Sequence, residues 1–126
     1  MSLDNNVIII DHSSMTTVVL TPDAVREIGD LPLSIIARVE RLVQRLHHWP
    51  AVSGAKSLTG DLAGKYRLRT GDYRLQFRVE TKRTVNLVKR LAKRRGKEQE
   101  IMEEQVVMEF NVIVERVGHR DGFYEN

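Results

Sequence analysis

Apolar and polar positions change their period several times along this chain. In "TTVVLTPDAVREIG", Val18, Val19 and Leu20 are β-formers and predict a short strand. Thr21 then suits a helix N-cap, Pro22 the first helical position and Asp23 the positive helix end, while Gly29 suits the position just past the C-terminus. Pro32 can open a second helix. Its apolar residues Ile35, Ile36, Val39, Leu42, Val43, Leu46 and Trp49 recur at steps of three and four, with Arg38, Glu40, Arg41, Gln44 and Arg45 on the other face. Pro50 ends it. The two helices form a hairpin whose apolar side needs a flat surface to cover.

The period then becomes two. "KYRLRT" and "YRLQFRVE" alternate on either side of Gly71-Asp72, a hairpin turn signal. Tyr66, Leu68, Tyr73, Leu75, Phe77 and Val79 form the apolar set, directed at the helices. Arg67, Arg69, Arg74, Gln76 and Arg78 form the polar set on the opposite face. A last strand, "EFNVIVERVG", follows from Glu109. The expected fold is α+β: an N-terminal strand and a helical hairpin on a three- to four-stranded antiparallel sheet. Residues 15–126 make one domain, and residues 1–14 are read as a weakly structured extension that adds little to the core. Residues 81–105, basic and then acidic, are longer than a hairpin needs. A short amphipathic helix and two extended arms of a long hairpin both fit them, with "AKRRGKEQE" at the tip.

Composition narrows the chemistry. A chain of 126 residues is one domain by default. It has no cysteine, which excludes disulfides, thiolate metal sites and cysteine nucleophiles. No apolar run approaches a membrane span or a signal-peptide core, so a soluble, cytoplasmic protein with no membrane partner is expected. The net charge of +3 hides an asymmetry. Residues 65–95 carry twelve Lys and Arg against two acids, whereas residues 96–126 carry three bases and eight acids. A block this basic implies a polyanionic partner, unless it is a solvated face neutralised by the acidic tail.

The strand arginines belong to that block. Like charges on neighbouring strands, about 4.8 Å apart, repel one another. A phosphate relieves the repulsion, and guanidinium grips it at two points without losing its charge. His47 and His48 suit the negative end of a helix, and no metal-binding spacing appears. By themselves, His119 and Tyr124 read as caps of the last strand.

The stretch "LTGDLAGKYRLRTGDYRLQFRVE", with "VIVERVGHRDGFYE" at the end, resembles the RelE/ParE superfamily of bacterial toxins from type II toxin–antitoxin systems. The likeness covers about residues 15–80 and 106–125; segment 81–105 departs from the family's short hairpin. RelE-like members cut messenger RNA, usually on the ribosome, by attack of the ribose 2′-OH on the scissile phosphate without metal or cofactor. The resemblance then implies catalytic roles for Arg74, His119, Arg120 and Tyr124, and phosphate binding by Lys65, Arg67, Arg69 and Arg78. It implies a cognate antitoxin, messenger RNA and the ribosome as partners. Two alternatives stay open: a ParE-like inhibitor of DNA gyrase on the same fold, and a non-catalytic nucleic-acid-binding module.

Overall fold

The computed structural model describes the backbone of residues 7–123 and the side chains of residues 14–123. Strand β1 (Val7–Leu20) leads into helix α1 (Pro22–Gly29) and helix α2 (Leu33–Leu46). The two-residue β2 (Lys56–Ser57) and one 3₁₀ turn (Gly60–Leu62) precede β3 (Lys65–Thr70), β4 (Tyr73–Arg94) and β5 (Lys97–His119). The five strands lie in the order β1-β5-β4-β3-β2.

The α+β class agrees with the sequence pattern, but the sheet exceeds the three to four strands expected. The addition is β2, paired antiparallel to β3 through Lys56↔Arg67 and Ser57↔Tyr66. Two residues carry no alternation, so their pattern could not announce a strand. β1 begins at Val7, so residues 7–14 of the expected extension lie in a strand. Segment 81–105 takes the hairpin form: β4 continues to Arg94, and β5 returns from Lys97 after the turn at Arg95-Gly96.

Thr21 caps α1 as its type predicts. Its hydroxyl accepts from the Ala24 N–H at 3.1 Å and donates to the Glu115 carbonyl at 3.1 Å, while its own N–H bonds the Val114 carbonyl. One residue thus starts the helix and ties it to β5. Gly29 is the last residue of α1 rather than a left-handed stop beyond it; Asp30 caps the helix in a right-handed conformation. That correction has a simple cause: the chain enters α2 within three residues and needs no reversal of handedness there.

Contacts divide the chain into two compact units. One joins Thr16–Glu80 with Phe110–Asn126 and holds the main core. Val39, Leu42 and Leu46 of α2 meet Leu68, Leu75, Phe77, Val112, Val114 and Val117 of the sheet, all buried. Burying each large apolar side chain contributes roughly 1.5–3 kcal/mol. Trp49 meets Tyr66 at 4.9 Å and Phe77 at 5.4 Å edge-on, closing the end of this core. The other unit joins Met1–Met15 with Thr81–Glu109, the arm of the long hairpin.

Candidate functional site

The β3–β4 hairpin sets out the basic row in three rungs. The register pairs Lys65 with Arg78, Arg67 with Gln76 and Arg69 with Arg74. Because Tyr66, Leu68, Leu75 and Phe77 are committed to the core side, period two sends this set to the other face. Gln76, at the middle of it, is itself 4% exposed, so the row is not uniformly solvated.

The rungs differ electrostatically. At the first, Lys65 Nζ lies 3.1 Å and Arg78 Nε 3.6 Å from the Glu115 carboxylate of β5, and Arg78 also meets Glu80 at 2.6 Å. The hydrogen bond to Glu80, with the nearby charges of Glu80 and Glu115, pushes the Arg78 guanidinium above its ordinary value. Lys65 and Arg78 are therefore already answered by carboxylates. Arg67, Arg69 and Arg74 make no ion pair among the described residues and keep their charge available.

The other end of the row is the hairpin turn. Gly71 takes φ 59° at the first central position, as a type II′ turn requires. Arg74 folds back over the turn, its Nη1 3.3 Å from the Gly71 carbonyl and 3.4 Å from the Tyr73 carbonyl. Arg38 of α2 approaches the same turn: its Nε donates to Thr70 Oγ1 at 3.1 Å, and a methyl group at Gly71 would come within 2.5 Å of its Nη2. The chain's tail closes in as well. The Arg120 N–H bonds the Asp72 carbonyl at 2.7 Å, and its guanidinium lies 3.7 Å from the Asp72 carboxylate. The His119 ring stands edge-on to Tyr73 with centroids 5.3 Å apart.

Residues far apart in sequence thus meet at Thr70–Arg74. The His119 ring and the Arg120 backbone abut this turn at Tyr73 and Asp72, and the turn is followed by Arg74, the cross-strand partner of Arg69. Arg67 lies one rung further along, and Lys65 with Arg78 two rungs. Tyr124 lies outside the described residues. Arg38 was missed by the sequence reading, which placed it on the polar face of its helix; helical periodicity says which face a residue occupies, not what its long stem reaches. Glu115 was missed too, although its alternation with buried Val112 and Val114 is the signal that could have found it.

The site's parts are held from behind. Phe123 is 2% exposed and packs on Gly118, where a methyl group would meet its ring at 3.2 Å. Arg116 lies 4.8 Å from the centre of that ring and donates to the Phe123 carbonyl. Glu27 of α1 accepts from the Val117 N–H at 3.1 Å. These contacts fix residues 117–123, so that His119 and Arg120 are presented on an anchored segment.

His119 has a defined hydrogen-bonding state. The Asp121 N–H donates to its Nδ1 at 3.1 Å, which leaves Nε2 carrying the proton of the neutral ring. The Asp121 carboxylate lies 3.5 Å from the same Nδ1 and can pair with it when the ring is charged. The arrangement offers several guanidinium donors and one imidazole N–H around a single turn. That set suits binding an anion, and the ring can give a proton when it is charged and paired with Asp121. Among the described residues no three His, Asp or Glu side chains are grouped to hold a metal ion, and no helix is long and apolar enough to cross a membrane.

No protein-family model matches the chain, and no curated protein matches it. It is similar to a solved structure, the toxin–antitoxin complex RelBE2 from Mycobacterium tuberculosis. The identity is 26% and the TM-score 0.54, over 84% of this chain and 99% of the matched one.

Proposed function

We propose that this protein is the toxin of a toxin–antitoxin pair and that it cuts messenger RNA, on the ribosome, as a metal-independent endoribonuclease. The likeness to a toxin–antitoxin complex supports the first part. The observation that supports the second is that the segment with His119 and Arg120 docks on the hairpin turn that precedes Arg74, at the end of a strand pair carrying the unpaired Arg69 and Arg67.

The chemistry follows from these groups. The 2′-oxygen bonds to phosphorus as its proton passes to a solvent water, and the bond from phosphorus to the 5′-oxygen breaks. Negative charge gathers on the non-bridging oxygens between those events, where Arg74 and Arg120 stabilise it. The departing 5′-oxygen takes a proton from His119 Nε2, and Asp121 holds the charged ring that gives it. Arg69 and Arg67 hold the neighbouring phosphates, with Lys65 and Arg78 contributing less because Glu115 shares their charge. Tyr124 takes a base-stacking or second proton-transfer role, as the family resemblance implies. An antitoxin silences the toxin by covering this cationic site. A cleft of about 530 Å³ between α1 and α2, with Val25 exposed at its rim, gives such a partner an apolar foothold.

The test is cleavage of ribosome-bound message by the purified protein in EDTA. The expected result is cutting by the wild type and loss of about a hundredfold or more in the Arg74→Ala, His119→Ala double variant. A substrate with sulfur in place of the scissile 5′-oxygen needs no proton donor, so it should restore His119→Ala and not Arg74→Ala. Unchanged cutting by the double variant overturns the site. Failure of the wild type to cut, with inhibition of DNA supercoiling instead, moves the protein to the gyrase-directed branch.

A further inference from the structure

The proposed site makes no use of the β4–β5 arm. Between Thr81 and Lys97 this arm carries eight bases (Lys82, Arg83, Lys89, Arg90, Lys93, Arg94, Arg95 and Lys97) and no acid. We propose that the arm is a second nucleic-acid grip, a two-stranded ribbon whose outer edge and tip bind the phosphodiester backbone of a duplex.

The strand arrangement exposes it. β3 pairs with β4 only from Tyr73 to Arg78, and β5 lies on the other side of β4. From Thr81 to Arg94, β4 is therefore an edge strand, about 45 Å long at roughly 3.3 Å per residue. Its bases come in doublets: Lys82-Arg83, Lys89-Arg90 and Lys93-Arg94. Adjacent residues of a strand point to opposite faces, so each doublet puts one cation on either side of the ribbon. Lys89 is paired with Glu100 at 3.5 Å and Arg90 with Glu103 at 3.4 Å, which stiffens the middle of the arm. Lys82, Arg83, Lys93, Arg94, Arg95 and Lys97 have no ion pair among the described residues.

The tip gives a second, independent observation. Arg95 has φ 53° and Gly96 φ 76°, the two left-handed residues of a type I′ turn. Arg95 is the one non-glycine residue with positive φ among those described. Asn, Asp or Gly takes this conformation at lower cost than Arg. A guanidinium kept where the backbone disfavours it points to a use for the guanidinium.

Charge placement selects the occupant. A second copy pairing edge to edge would set these Lys and Arg doublets against each other. A partner strand added to the edge would meet one row of backbone groups and leave the tip's cations unanswered. A nucleic-acid backbone meets both faces and the tip at once, and the major groove of B-form DNA, about 12 Å wide, admits a two-stranded ribbon. The shared chemistry is the phosphate backbone of RNA or DNA.

The experiment measures binding of the full chain to a 2′-O-methyl RNA hairpin, which 2′-OH attack cannot cut. A DNA duplex of the same sequence and an acidic peptide serve as comparison ligands. The tip variant carries Lys93→Gln, Arg94→Gln, Arg95→Asn and Lys97→Gln. It should lose at least tenfold in affinity, and its slope of log affinity against log salt should fall by about three, as expected when four fewer phosphates are neutralised. Arg95→Asn alone should lose affinity a few-fold with an unchanged or higher melting temperature, because Asn suits the turn better. Whichever duplex binds more tightly identifies the source of the phosphates. Unchanged affinity and slope in the tip variant overturn the proposal, as does a loss confined to the acidic peptide. Because the ligand cannot be cleaved, failure of the ribonuclease reading leaves this result untouched.

Discussion

Glu115 decides how much of the basic row is free. Its carboxylate stands between Lys65 and Arg78: Lys65 Nζ lies 3.1 Å from one oxygen and donates a hydrogen bond to the other at 3.3 Å, and Arg78 Nε lies 3.6 Å away. Replacing it by Gln removes one negative charge from the face and releases two cations. RNA affinity should rise several-fold in Glu115→Gln, and the salt slope should steepen by about 0.7–0.9 for each additional phosphate that the released cations neutralise. A titration of a non-cleavable RNA at two salt concentrations checks both. A fall in affinity would mean that Glu115 positions Lys65 and Arg78 rather than neutralising them. The same residue shows why the row was legible and its strength was not: alternation placed the arginines, but Glu115 reaches them only through the pairing of β4 with β5.

At the scale of elements, the tail of β5 is the part on which the site depends. His119 and Arg120 follow directly from a strand, and residues after a strand need an anchor to hold one geometry. Phe123 supplies it, buried against Gly118 and Arg116. Phe123→Ala should cost about 3–5 kcal/mol of stability. The activity that remains at low temperature should fall further than the folded fraction, because His119 loses its place beside Tyr73. Urea unfolding together with cleavage assays separates the two effects, and Phe123→Leu should recover most of both. Activity that merely follows the folded fraction would show that the tail needs no anchor. In the sequence, "GHRDGFYE" suggested only the end of a strand and a resemblance. That Phe123 is an anchor could not be read, since nothing local says where an aromatic ring after a turn will pack.

For the molecule as a whole, charge is the governing quantity. The segment 65–95 has ten more bases than acids, while the chain's net charge is only +3. Several acids answer it across strands, through Glu115, Glu100 and Glu103, but many cations remain unpaired among the described residues. Their mutual repulsion opposes folding and is screened by salt, with a Debye length of about 10 Å at 0.1 M. The melting temperature should therefore rise between low salt and about 0.5 M sodium chloride. A fall would mean that the ion pairs outweigh the repulsion.

The sequence by itself determined the features that rest on local periodicity and local backbone preference. These are the capped first helix, the amphipathic second helix, the Gly71 hairpin with its alternating arginines, and the concentration of charge in one block. Each is set by residues within a few positions of one another, where 3.6- and 2-residue periods and turn chemistry act. Only the tertiary structure decided the fifth strand, the extended form of the long arm, the approach of Arg38 and Glu115, and the contact of His119 and Arg120 with the Gly71 hairpin. Those depend on strand register and on where long side chains end. Both are fixed by packing between segments distant in sequence, on which no local period carries information.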